Sequence, residues 1–324
     1  MGGTLKKSIV IFITLTCLYA LSNTVENFEL VSDGNRIQLE FKLDEISLES
    51  IGDYSKIKSK SNSEISTVGM PKIPSYTSML MLDPTKEYSV SYEVESSYVI
   101  DNVDIIPNQS IVNGSEKKTL DEVNLDFYNS ELSFPNKNVT LSEPQIMRDL
   151  VVGNLEVIPF NYYPSERRLE VIDNIIVTVN VVGDTPDIRT RELPKSKVFE
   201  NIYSSKILNY NTNYRNTEYQ QPAVLYIGSS SVLDNGTFEQ LLDWRRERGY
   251  VVYTASTSVA GSSTTSIKNY IENAYDTFDP PPEYVTLIGD VGGSYSLPTY
   301  YEDFGHDSYG NQCEGDHPFS QLDG

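Results

Sequence analysis

The feature that most constrains this chain is a change of hydrophobic period near residue 222. Before it, apolar residues recur at every second position, as in "RIQLEFKL" (36–43), "EYSVSYEVESSYVI" (87–100), "NLEVIPFNYYP" (154–164) and "RLEVIDNIIVTVNVVG" (168–183). A period of two divides side chains between the faces of a strand, and Val, Ile and Tyr suit that pleated surface. Turn signals at Asp33-Gly34, Asn113-Gly114 and Pro164-Ser165-Glu166 separate the runs. Residues 23–183 therefore predict antiparallel strands in a β-sandwich-like domain. Its acids are scattered over strand faces and loops, the pattern of a solvated surface rather than of a site.

Beyond residue 222 the period is 3.6. "AVLYIG" (223–228) and "YVVYTAS" (250–256) predict buried strands, and "EYVTLIGDVGG" (283–293) predicts a third that delivers Asp290 to the rim of the sheet. Between the first two, Thr237 and Gln240 have the spacing of a capping box opening a helix whose Phe238, Leu241, Leu242 and Trp244 face inward and which stops at Gly249. Between the second and third, Ile267, Tyr270, Ile271, Ala274, Tyr275 and Phe278 form one helical stripe, ended by Pro280-Pro281-Pro282. Strands alternating with helices at this spacing predict a parallel α/β sheet over 222–324, with functional groups beyond the carboxyl ends of its strands.

The stretch 184–221 follows neither period. It is polar, and it gathers Arg189, Arg191, Lys195 and Lys197 in a chain of 25 basic against 46 acidic residues. It reads as a linker in which an extended backbone can enter a protease cleft, first between Asp184 and Gln221, with those four cations as processing candidates. The net charge of −21 argues against a nucleic-acid or anionic-membrane partner. At the other end, Lys6 and Lys7 precede an apolar run from Ile9 to about Leu21, shorter than the ~20 residues that span a bilayer. Residues 1–22 read as a cleaved secretory signal, which leaves Cys313 as the exported thiol and gives a secreted or cell-surface protein.

Three kinds of chemistry are open to the α/β part. "GSSSVLDNG" (228–236) matches no phosphate-binding glycine pattern. His306 and Cys313 are a tempting dyad, but Glu314 and Asp316 beside the thiol would raise its pKa, and the pair reads as ordinary loop residues. The acids of the same stretch, Asp303, Asp307 and Asp316 foremost, offer hard oxygen ligands for Ca²⁺, the alternative being a solvated acidic loop.

"EYVTLIGDVGGSYSLPTYY" followed by "GDHPFSQLDG" resembles the catalytic domain of gingipain-type cysteine peptidases of family C25, and "GMPKIPSYTSMLMLDP" (69–84) and "VIPFNYYPSERRLEVIDNIIVTV" (157–179) resemble the propeptide of that family. The resemblance implies a secreted cysteine endopeptidase zymogen acting on proteins or peptides, with a propeptide packed on a caspase-like α/β domain. It also implies that the His and Cys of the dyad lie beyond Gly324, so that 222–324 is the first half of that domain and has no activity alone. The thiol chemistry requires no cofactor, although Ca²⁺ binding is a family trait. A secreted adhesion or surface-binding protein with a peptidase-like fold is the competing reading.

Overall fold

The computed structural model describes residues 27–322 except 33–35, 113–114, 117–118, 190, 212–217 and 304–311. The signal, the Asp33-Gly34 and Asn113-Gly114 turns, His306 and Asp307 lie outside the described residues.

Two antiparallel sheets face each other in the first part. One holds β1 (Phe28–Ser32), β2 (Arg36–Lys42), β4 (Lys86–Asp101), β8 (Phe160–Tyr163) and β9 (Arg168–Asp184). The second is built on β3 (Pro74–Leu82) and β7 (Leu150–Val157), with β5 (Val139–Leu141) and β6 (Gln145–Met147) along β7. Alternate residues of both sheets meet between them: Leu39 and Phe41, Leu80, Leu155 and Val157, and Ile175, Val177 and Val179 form one continuous buried cluster. A second cluster, around Ile73, Ile105, Phe160, Tyr162, Leu169 and Val171, closes one end.

The run 154–164, expected as one strand, is two strands in different sheets. Pro159 lies at the crossing between β7 and β8; it has no N–H to give to a ladder, and its carbonyl instead accepts from Ile172 N at 2.9 Å. Strand β3, at the centre of the second sheet, was not among the predicted strands. The apolar alternation there is interrupted by a polar residue at an inward position, Ser78 between Tyr76 and Leu80, and by Ser75 on the opposite face; both serines are buried.

The linker is the larger correction. Residues 197–206 form helix α1 (Lys197–Lys206), capped by Ser196, whose hydroxyl accepts from Phe199 N at 3.2 Å. Tyr203, Ile207 and Tyr210 pack with Leu150 and Val152 on the outer face of the second sheet. Asn209 adds a side-chain hydrogen-bond pair to the Met81 backbone, accepting from its N–H at 2.7 Å and donating to its C=O at 3.0 Å. Much of the stretch is thus a cover for the sandwich and not a free tether. Its apolar residues Phe199, Tyr203 and Ile207 recur every fourth position with Val198, Ile202 and Leu208 beside them, a helical stripe inside a stretch that is polar on either side.

In the second part, β10 (Ala223–Gly228) is central in a parallel three-stranded sheet, between β11 (Val251–Ser256) and β12 (Tyr284–Ile288). Helix α2 (Gly236–Glu247) covers one face through Phe238 and Leu242, and α3 (Thr264–Thr277) covers the other through Ile267, Ile271 and Ala274. The α2 cap is Asn235, whose side chain accepts from Thr237 N at 2.8 Å, and not the Thr237–Gln240 pair. A capping box does occur, on α3, between Ser263 and Ser266. Leu241 and Trp244 remain 39% and 43% exposed, against expectation, because the narrow sheet gives α2 only a Phe238–Leu242 stripe to bury. Strand β12 is likewise open: Tyr284 and Val285 are 41% and 39% exposed, and among the described residues β10 alone pairs with it along the ladder.

Candidate active-site rim and the junction beside it

All three parallel strands point their carboxyl ends to the same rim. Gly228 must be small there, since a Cβ would come within 3.0 Å of Ile288 O. Gly289 is more constrained still: a Cβ would meet Tyr295 O at 2.4 Å and Leu297 Cγ at 2.8 Å. That contact lets the chain after β12 fold back on itself.

Asp290 locks the return. Its N–H donates to Tyr295 O at 3.1 Å, its C=O accepts from Leu297 N at 2.8 Å, and its Oδ1 accepts from Val291 N at 2.8 Å. The carboxylate predicted at the rim is there, exposed, but engaged in shaping the loop. Beside it, Thr257, Ser262, Val291, Ser296, Leu297 and Tyr301 contribute to a recess of about 450 Å³. Hydroxyl and apolar walls of this kind suit the binding and orientation of a ligand; among the described residues neither thiol nor imidazole lines it.

Of the acids expected as metal ligands, Asp307 lies outside the described residues; among the described residues no group of three His, Cys, Asp or Glu side chains could hold an ion. Asp303 ends the strand Tyr300–Asp303, which pairs with Gln312–Gly315, and Asp316 is the exposed residue preceding the short helix His317–Ser320. Cys313 sits opposite Glu302 in that ribbon.

The processing candidates divide by backbone. Arg189 and Arg191 lie outside regular structure, Lys195 bridges to Tyr219, and Lys197 occupies the first turn of α1. The Arg189 guanidinium donates to both oxygens of Asp187, Nε at 3.1 Å and Nη2 at 2.8 Å, and holds that carboxyl below its ordinary pKa. Arg191 reaches across to the α/β part and pairs with Asp276 of α3. Nearby, Tyr203 donates to Asp149 Oδ1 at 2.7 Å, and burial pushes the phenol pKa up. Sequence reasoning missed Arg148, a buried cation in the two-residue turn between β6 and β7. Its φ of 58° is the one signal that marks it, a left-handed backbone at a non-glycine residue, and it is visible only in the structure.

A pro-region followed by a peptidase segment is the class that the comparisons assign to this two-part architecture. The propeptide of family C25 (Propeptide_C25) matches residues 30–217 and Peptidase family C25 matches residues 217–324. The chain belongs to peptidase family C25. It is similar to Gingipain R2 of Porphyromonas gingivalis, 26% identical over 235 residues, which is 70% of this chain and 31% of that protein. Gingipain R1 of the same species is 25% identical over 232 residues, 70% of this chain and 23% of that protein. The chain thus spans well under half the length of these curated relatives. Among solved structures, the complex of P. gingivalis RgpB pro- and mature domains aligns with TM-score 0.48 and 24% identity, covering 57% of this chain and 98% of that one.

Proposed function

We propose that the protein is the zymogen of a secreted cysteine endopeptidase, exported by residues 1–22 and held latent by its own pro-region. The observation that carries this reading is a coincidence of boundaries. The propeptide match ends and the peptidase match begins at residue 217, between the last sandwich-bound residues, near Tyr210, and the first parallel strand at Ala223.

In this reading a thiolate supplied by the peptidase domain attacks the scissile carbonyl, and an imidazole moves the proton to the leaving amine. The described residues contribute the rim: the Asp290 loop and the recess beside it position a peptide beyond the strand ends. Activation is a cut in the basic stretch. A protease cleft takes an extended backbone, which favours Arg189 and Arg191 over Lys197 in its helical turn. Protein purified from the medium of its own cells tests the proposal. We expect an N-terminus after residue 22 or within 185–197, and peptide hydrolysis that thiol alkylation abolishes. Hydrolysis indifferent to alkylation, or no hydrolysis after processing, would overturn it.

A further inference from the structure

The junction between the two parts is built around one aromatic ring. Tyr275 of α3 has the Arg191 guanidinium 4.5 Å from its centroid and the Arg148 guanidinium 5.8 Å from it. Arg191 is also paired with Asp276, the next residue of the helix. Arg148, only 6% exposed, lies 5.2 Å from the Phe199 ring of α1 on its other side. Its Nη2 donates to Gln220 Oε1 at 2.9 Å, and Gln220 Nε2 donates in turn to Pro281 O at 3.0 Å. Sandwich turn, basic stretch, α1 and the α/β part therefore meet through two guanidiniums, each fixed by a charge or an amide as well as by a π face.

We propose that Arg148, Arg191, Tyr275 and Asp276 form a clasp that shields the Arg191–Glu192 bond, so that processing there follows opening of the junction rather than causing it. This rests on the zymogen reading for its biological meaning, but not for its physical test. A protease specific for basic residues must take the Arg191 side chain into its own pocket. In this fold that side chain is held by Asp276 and Tyr275, and only about a fifth of it is exposed (22%). Cleavage then proceeds through a locally opened state and its rate reports the population of that state. The clasp turns a basic residue in coil into a guarded one.

Trypsin digestion of the 324-residue chain, with the cuts at Arg191 and Lys60 timed by mass spectrometry, tests this directly. Lys60 is the internal control, a coil residue with 74% of its side chain exposed. In Tyr275→Ala the Arg191 cut is expected roughly tenfold faster and the Lys60 cut unchanged. Asp276→Asn keeps the packing and removes the charge, and about a threefold gain is expected. Arg191→Lys stays a trypsin site but loses the flat, stacking guanidinium, and is expected to be cut faster than the parent. Wild-type rates at residue 191 in all three variants would overturn the clasp. So would equal acceleration at Lys60, because it would show global opening. Neither result depends on peptidase activity, which the alkylation experiment reads separately.

Discussion

The sandwich and the α/β part use similar residues to different ends. In the sandwich, strand β7 is buried on both faces: Leu155 and Val157 turn to the inter-sheet core while Leu150 and Val152 lie under α1. In the α/β part, strand β12 is just as apolar in sequence, yet Val285 remains 39% exposed and Leu287 half-buried. Apolar sequence creates the demand for a partner, and the fold around it decides whether the demand is met. The sandwich is a finished unit, and the parallel sheet is an open one.

Core truncation should separate them most. Leu155→Ala removes a fully buried side chain and is expected to cost about 3 kcal/mol, whereas Val285→Ala is expected to cost under about 1 kcal/mol. Urea midpoints at constant m-value read both; equal losses would break the contrast.

Glycines sharpen it next. A Cβ at Gly153 of β7 would meet Leu82 Cδ1 at 2.8 Å and Leu141 Cδ1 at 3.1 Å, while one at Gly236 of α2 would meet nothing within 4 Å. Gly153→Ala is expected to lower stability by about 1–2 kcal/mol through overpacking. Gly236→Ala, at the start of a helix, should raise it by about 0.5 kcal/mol. Thermal melts of the two variants should shift in opposite directions.

Local order in the α/β part depends on its caps. Asn235→Ala removes the acceptor for Thr237 N and is expected to cost about 1 kcal/mol, whereas Gln240→Ala, the other half of the expected capping box, should cost under about 0.5 kcal/mol.

The remaining effect is confined to alkaline pH. Burial raises the Tyr162 phenol in the sandwich to about 12, against about 10 for an unfolded tyrosine. A raised folded pKa means that the stabilisation is complete below about pH 10 and is lost as pH rises through about 12. Tyr162→Phe should flatten that part of the stability profile; an unchanged slope would remove Tyr162 as its source.

What could be read from the sequence follows from what period alone encodes. Strands β2, β4 and β9 and all three parallel strands fall where alternation or short apolar runs placed them. The division at Pro159 was visible as a proline, but which sheet each half joins is a matter of tertiary pairing. Helix α1 escaped although its apolar doublets Val198-Phe199, Ile202-Tyr203 and Ile207-Leu208 recur at helical spacing, because the prolines, Asn, Thr and clustered cations around it give the whole stretch the character of a linker. At the rim, Asp290 was legible as a carboxylate after a strand; its use as a loop lock was not, because Tyr295 and Leu297 reach it only once Gly289 permits the return. Arg148 had no sequence signal, since its role arises from a turn and from two rings on separate elements.

The central contrast is tested most directly by unfolding the chain in urea with two probes. Trp244, the single tryptophan, reports the α/β part, and the amides of β7, followed by hydrogen-exchange mass spectrometry at each urea concentration, report the sandwich. The account predicts that the Trp244 fluorescence transition precedes the loss of β7 protection. Coincident transitions with one midpoint would make the chain a single cooperative unit and contradict it.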